Sequence, residues 1–217
     1  MTADELIARA RLALASPTMY FFGAGGFYGD APRPPAQPGV EARVQDMLDR
    51  LDATKLERYE AESRAAGIDF EALRPLTRPF CDCSGYVCWA LGIPRAPARD
   101  ARHGWVWTES IYADALRPGG AFTRVDSDAA RLACRAGAML VYPPPGSDEP
   151  GHIGIVSEVD PDGRPRRVLH CSSLNFLLAP EGGGERSAIA ETGPQVFEAQ
   201  LGARRPTIAV RFREVEG

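Results

Sequence analysis

Lysine, histidine and cysteine are scarce in this 217-residue chain, and each scarcity narrows the chemistry available to it. Lys55 is the single lysine, so nearly all cations are arginines, and the formal net charge is −4 at pH 7. That balance gives no reason to expect a nucleic-acid or membrane partner. With 44% hydrophobic residues the chain can bury one substantial core, which predicts one domain, or one domain with an insertion.

Long hydrophobic runs are also missing. No segment approaches the roughly 18 apolar residues of a membrane-spanning helix. The segment Met1 to Glu5 has neither the basic stretch nor the apolar core of a signal peptide. We therefore expect a cytoplasmic protein, a mature form, or one exported by a non-classical route such as a phage tail or secretion apparatus. The sequence leaves the localisation and the oligomeric state open.

Five cysteines cannot all pair within one chain, because the number is odd, so reduced thiols are the simpler interpretation. They are Cys81, Cys83, Cys88, Cys134 and Cys171. Several of them, with His170, have the chemistry of zinc ligands. Cys83 and Cys88, however, would lie roughly 140° apart around one helix, which a single ion cannot bridge. We expect no metal and no cofactor.

Cys83 has the setting of a nucleophile. A buried helix is predicted from about Cys83 to Leu91, because Asp82 suits an N-cap and Gly92 supplies a stop. A thiol at a helix start lies at the positive end of the helix dipole, which predicts a pKa below the free value of about 8.5. Cys83 is therefore the candidate nucleophile, and Cys88, Cys134 and Cys171 are predicted to be inert thiols.

A base for Cys83 must come from only three histidines. His152 opens one strand-like run and His170 closes the next, so neighbouring strands would place a base beside a second imidazole that orients it. His103 is predicted to be a surface or groove residue. The adjacent Trp105 and Trp107 are predicted to pack in the core.

Four blocks occur in an order that resembles the NlpC family of bacterial cell-wall cysteine peptidases, which are papain-like enzymes. The blocks are Pro17 to Gly26, Asp82 to Val87, Gly151 to Ile155 and Leu169 to Ser173. One departure is Ala138, where the family usually has Asp ahead of the histidine strand. The connection from His152 to His170 also looks longer than is usual in the family.

The resemblance implies an α+β papain-like fold in which N-terminal helices pack on a central antiparallel β-sheet. The whole chain, residues 1–217, would form one NlpC-type domain. Residues 30–78, which match no block, are predicted to be a helical insertion within it, because apolar residues recur there at helical spacing among charged ones.

The resemblance also implies roles for six residues. Cys83, His152 and His170 would form a Cys-His-His triad, while Tyr20, Asp82 and Ser84 would bind substrate or help to hold the oxyanion. The reaction would be hydrolysis of a peptide bond in a peptidoglycan stem peptide, most often between γ-D-glutamate and a diamino acid, through a thioester. The expected partner is then a peptidoglycan-derived peptide.

Two other interpretations remain open. One is a thiol amidase or an acyl or peptidyl transferase that acts on a γ-glutamyl substrate outside the cell wall. The other is a catalytically silent binding module that keeps the fold without the activity. Identifying a trapped acyl group would distinguish the first from a peptidase, and the reactivity of Cys83 would distinguish the second.

Periodicity and turn residues predict the remaining elements. The predicted helices are residues 2–15 with a Thr2–Glu5 capping box, 40–51, 56–66, 109–116 and 127–136. The predicted strands are residues 139–142, 152–159, 167–171 and 207–213. Residues 160–165 are predicted to form a hairpin turn, and residues 180–206 to be mostly loop.

Overall fold

The computed structural model describes residues 1–31, 33–96, 105–126, 132–146, 149–178 and 184–216. Its helices are α1 (Ala3–Leu12), α2 (Val44–Leu48), α3 (Ala53–Ala65), α4 (Phe70–Leu73), α5 (Cys83–Leu91), α6 (Thr108–Leu116), α7 (Ser173–Leu177) and α8 (Gln195–Glu198), with a 3₁₀ turn at Ala13–Ala15. Its strands are β1 (Met19–Tyr20), β2 (Val40–Arg43), β3 (Thr77–Cys81), β4 (Phe122–Arg124), β5 (Met139–Tyr142), β6 (His152–Val159), β7 (Pro165–Cys171), β8 (Ile189–Thr192) and β9 (Ile208–Phe212).

The strands form two sheets. Six of them build an antiparallel sheet in the order β4-β9-β5-β6-β7-β8, and β1, β3 and β2 form a small mixed sheet. The four strands predicted from the sequence are all present in the larger sheet, and so is the turn at Asp160, where Gly163 adopts a φ of +78°. The chain is thus an α+β protein with a central antiparallel sheet, as expected.

Helix α5 lies at the centre of the protein, and all nine of its residues are buried. Asp82 Oδ1 accepts the Gly85 amide hydrogen at 2.8 Å, and Gly92 ends the helix with a φ of +72°, so both predicted caps are confirmed. Helix α1 packs against it, and the Tyr86 hydroxyl donates to the Ala10 carbonyl at 3.0 Å. The helix is buried all round because it lies between α1 and the sheet.

The segment of residues 33–78 contains helices α2, α3 and α4, but it also supplies strand β2. Val40 pairs with Phe80 in an antiparallel ladder, so the helix predicted over residues 40–51 begins only at Val44. Pairing with β3 outweighs the helical spacing of Val40 because the ladder satisfies its backbone groups. Met47 and Phe70 are buried in the same core as α5.

The described part of residues 180–206 is mostly loop, as expected, but it also contains the short elements β8 and α8. Strand β8 forms because β7 offers it a free edge, on which His170 pairs with Ala190. Of the helix expected over residues 127–136, residues 127–131 lie outside the described part, and residues 132–136 are not helical. Among the described residues, no helix is long and apolar enough to cross a membrane.

Candidate functional site

Two buried histidines are joined by a hydrogen bond across the sheet. His152 begins β6, and His170 lies near the end of the adjacent β7. His152 Nε2 lies 2.8 Å from His170 Nδ1. Gly154, which pairs with His170, leaves the space for this contact, because a Cβ there would meet the His170 Cβ at 2.9 Å. The antiparallel register therefore brings together two imidazoles that lie 18 residues apart.

Phe197 encloses both imidazoles on one side. Its ring is stacked on His152 at 5.2 Å between centroids and meets His170 edge-on at 5.9 Å. Burial lowers the pKa of His152 well below its ordinary value, and His170 lowers it further. Burial also lowers the pKa of His170, to about 4. Both rings are therefore neutral at neutral pH, so each has one ring nitrogen with a hydrogen and one without.

The second histidine, His170, also contacts the hydroxyl of Thr192, a residue that the sequence analysis did not identify. His170 Nε2 lies 2.8 Å from Thr192 Oγ1, and Thr192 Oγ1 lies 3.1 Å from the Gly193 carbonyl oxygen. Thr192 is the last residue of β8, a strand that was not predicted because the surrounding residues 180–206 are rich in glycine. No motif marks it, because its role depends on pairing between strands distant in sequence.

Cys83 lies at the first turn of α5, facing the start of β6. Its Sγ is 4.0 Å from the carbonyl oxygen of Gly151, the residue before His152. The side chain is buried, with 4% of the residue exposed. The structure thus places the thiol beside the backbone of the residue that precedes the predicted base, while the two imidazoles pack against Phe197.

The electrostatic setting of Cys83 differs from the sequence-based expectation. Burial raises the pKa of its thiol, and the nearby Asp82 carboxylate raises it further. The Arg95 guanidinium and the backbone amides of Ile153 and Ser84 act in the opposite direction but are weaker. The predicted lowering considered only the helix start and not the cost of burying a thiolate. At rest the Cys83 thiol and both imidazoles are therefore neutral.

Asp82 and Ser84 form a buried polar cluster with Arg95. Arg95 Nη2 donates to Asp82 Oδ2 at 2.6 Å and to Ser84 Oγ at 2.9 Å. Asp82 Oδ2 also accepts the Gly23 amide hydrogen at 2.7 Å. These contacts hold the helix start in place. Arg95 was not identified from the sequence, because a single arginine after a helix carries no periodic or motif signal.

Tyr20 lies on β1, next to the strand that leads into Cys83. It pairs with Cys81 in the parallel ladder between β1 and β3. Burial raises the pKa of its hydroxyl well above the ordinary value, and Cys83 and Asp82 raise it further. Tyr20 is therefore a neutral hydrogen-bond donor near the nucleophile.

A cleft of about 230 Å³ opens beside Cys83. Its lining residues are Phe22, Gly23, Asp82, Cys83, Ser84, Arg95, Trp105, Trp107, Thr108 and Gly151. Trp107 is 38% exposed and Phe22 66% exposed, so aromatic rings form the open side of the cleft. The Arg95 guanidinium lies over the Trp105 ring, 4.3 Å from its centre. The two tryptophans therefore line the candidate site, in contrast to the predicted core packing.

Two further expectations concern His103 and metal binding. His103, predicted to be a surface or groove residue, lies outside the described residues. Within the described ranges, no group of three or more His, Cys, Asp or Glu side chains is arranged to hold a metal ion.

Geometry alone defines the candidate site. Its thiol, two imidazoles and aromatic cleft have the components of a nucleophilic hydrolase, but many folds can carry such components. Comparison with protein-family models, curated proteins and solved structures finds no match to this chain, so the family resemblance of its sequence remains a prediction.

Proposed function

We propose that the protein is a cysteine peptidase or amidase that hydrolyses a peptide bond in peptidoglycan stem peptides. The observation that carries the proposal is the 2.8 Å contact between His152 Nε2 and His170 Nδ1, together with a thiol at a helix start whose Sγ lies 4.0 Å from the carbonyl oxygen of Gly151, the residue before His152. A nucleophile, a base and a group that orients the base recur in unrelated enzymes that cleave amides. Burying two imidazoles is costly unless they are hydrogen-bonded, and this contact satisfies one nitrogen of each ring.

His152 is the general base in this proposal. Its Nε2 is occupied by His170, which leaves Nδ1 to accept the thiol proton. As the proton moves, Cys83 Sγ attacks the substrate carbonyl carbon and forms a tetrahedral intermediate. The backbone amide of Cys83, at the N-terminus of a nine-residue helix, stabilises the negative oxygen that develops.

The imidazolium then returns the proton. His152 Nδ1–H protonates the leaving nitrogen, the C–N bond breaks, and a thioester to Cys83 remains. A water molecule gives a proton to His152 and attacks the thioester, which releases the acid and restores the thiol. Both resting groups are neutral, so the proton transfer accompanies attack and no ion pair is formed in advance.

The choice of substrate rests on the resemblance of the four sequence blocks to the NlpC family, with the γ-D-glutamyl–diamino acid bond as the target. The cleft adds one physical constraint. Its exposed walls, Phe22 and Trp107, are aromatic, so they favour a substrate that places apolar or planar groups beside the scissile bond.

Mass spectrometry of defined muropeptides tests the proposal directly. Wild-type protein should convert a substrate into two fragments whose masses sum to the substrate plus one water. Cys83→Ala should abolish this conversion, and Cys88→Ala is the matched control, because Cys88 lies on the same helix but does not line the cleft. Cleavage that persists in Cys83→Ala would overturn the proposal. Transfer of the fragment to an added amine would indicate a transferase instead.

A further inference from the structure

The hydrogen bonds beyond His170 carry information about proton positions. Thr192 lies on β8, opposite Val168 of β7, while His170 pairs with Ala190. Thr192 and His170 are therefore diagonal neighbours on the same face of the sheet, close enough for their side chains to meet. Their 2.8 Å contact is the second of three contacts that run from His152 through His170 and Thr192 to the Gly193 carbonyl oxygen.

The direction of these hydrogen bonds follows from the end of the series. The Gly193 carbonyl oxygen can only accept, so the Thr192 hydroxyl donates its one hydrogen there, at 3.1 Å. The same hydroxyl must then accept from His170, which places the hydrogen of His170 on Nε2. His170 Nδ1 is consequently bare and accepts from His152 Nε2–H.

The opposite direction would disable the base. If Thr192 donated to His170 Nε2, the hydrogen of His170 would lie on Nδ1 and would be donated to His152 Nε2. His152 would then carry its hydrogen on Nδ1, the atom that must accept the thiol proton. Burial keeps His170 neutral, because its pKa is about 4 and only 3% of the residue is exposed. The ring therefore carries one hydrogen, either on Nδ1 or on Nε2.

We propose that Thr192 is a positioning residue that, through the Gly193 carbonyl and His170, holds His152 in the tautomer whose Nδ1 is free to accept a proton from Cys83. This inference rests on the proposed function for its catalytic meaning, but the tautomers themselves do not depend on activity. Thr192 does not line the cleft beside Cys83. It acts on the base and not on substrate binding.

Substitution at Thr192 separates this role from a structural one. Thr192→Val keeps the shape and removes the hydroxyl, and Thr192→Ser keeps the hydroxyl. We expect Thr192→Val to lower kcat by about tenfold to a hundredfold with little change in KM, as is typical when a group that orients a histidine is lost. Thr192→Ser should stay within about threefold of wild type, because the acceptor and donor remain.

Thr18→Val is the matched stability control. Thr18 is a buried threonine whose hydroxyl donates to the Ser16 carbonyl, and it does not line the cleft beside Cys83. The Thr18→Val variant should have a lower melting temperature than wild type and an unchanged kcat. Equal kcat values for wild type and Thr192→Val would overturn the proposal, and so would failure of Thr192→Ser to restore activity.

Nitrogen NMR of ¹⁵N-histidine-labelled protein measures the tautomers without reference to activity. Cys83→Ala protein, with a His103→Gln variant to assign the third histidine, should show hydrogens on Nε2 of both His152 and His170. Thr192→Val should shift both towards a mixture of tautomers. A hydrogen on His152 Nδ1 in the parent protein would refute the positioning role. If the tautomers are as expected but no muropeptide is cleaved, the proposed function fails and the positioning result stands.

Discussion

Arg95 Nη2 lies 2.6 Å from Asp82 Oδ2, and only 2% of either side chain is exposed. The same guanidinium donates to the Ala24 carbonyl at 2.6 Å, so it joins the loop after α5 to the glycine segment before it. Asp82 caps the helix that begins at Cys83. The ion pair therefore fixes the position of the thiol from behind, through the first turn of its helix.

Removing one partner of this ion pair should be strongly destabilising. Arg95→Met leaves the Asp82 carboxylate buried without its cation, so we expect the free energy of unfolding to fall by about 3–5 kcal/mol. Urea unfolding measures this. Arg58→Met, which breaks an exposed pair with Glu62, is the control and should cost less than about 1 kcal/mol.

The double variant Asp82→Asn/Arg95→Met tests the cause. It should be more stable than Arg95→Met alone, because no uncompensated charge remains. If the double variant is less stable by the sum of both single losses, the two side chains act independently, and the electrostatic explanation fails.

The depressed pKa of His170 predicts how stability changes with pH. Below about pH 6.5 the unfolded chain binds a proton at this histidine, whereas the folded protein does so only near pH 4. Stability should therefore fall as the pH falls across this window, by about 3 kcal/mol from His170 alone. His152, whose pKa is lowered further, adds to the loss.

His170→Gln should remove that contribution while keeping a polar group beside His152. The difference in unfolding free energy between pH 7 and pH 4 should then be about 2–3 kcal/mol smaller than in wild type. Denaturation curves over this pH range provide the measurement. Parallel pH curves for the two proteins would show that His170 is not buried in its neutral form.

The raised pKa of Cys83 predicts the pH dependence of its alkylation. Since the thiolate is the reactive form, the rate with iodoacetamide should rise continuously between about pH 6 and pH 9. Peptide mass spectrometry measures the rate at each thiol. Cys134 is the comparison, because it is half-buried, does not line the cleft beside Cys83, and burial raises its pKa to about 12. A rate that is already constant from pH 6 would indicate a preformed thiolate.

The sequence by itself determined the elements whose signals are local. Asp82, Gly92 and the apolar run between them specify α5, because capping and burial act within one helix. Strands β5 to β7 follow from short apolar runs bounded by turn residues, and Gly163, which adopts a positive φ, marks the turn between β6 and β7. These elements already place Cys83, His152 and His170 at defined positions in the fold.

Only the tertiary structure decided the parts that depend on contacts between distant segments. Thr192 meets His170 because β8 pairs with β7, and Arg95 meets Asp82 because the chain turns back after α5. Neither residue belongs to a periodic pattern. The pKa of Cys83 was also misjudged, because the helix start is visible in the sequence whereas the burial that outweighs it is a property of the whole core.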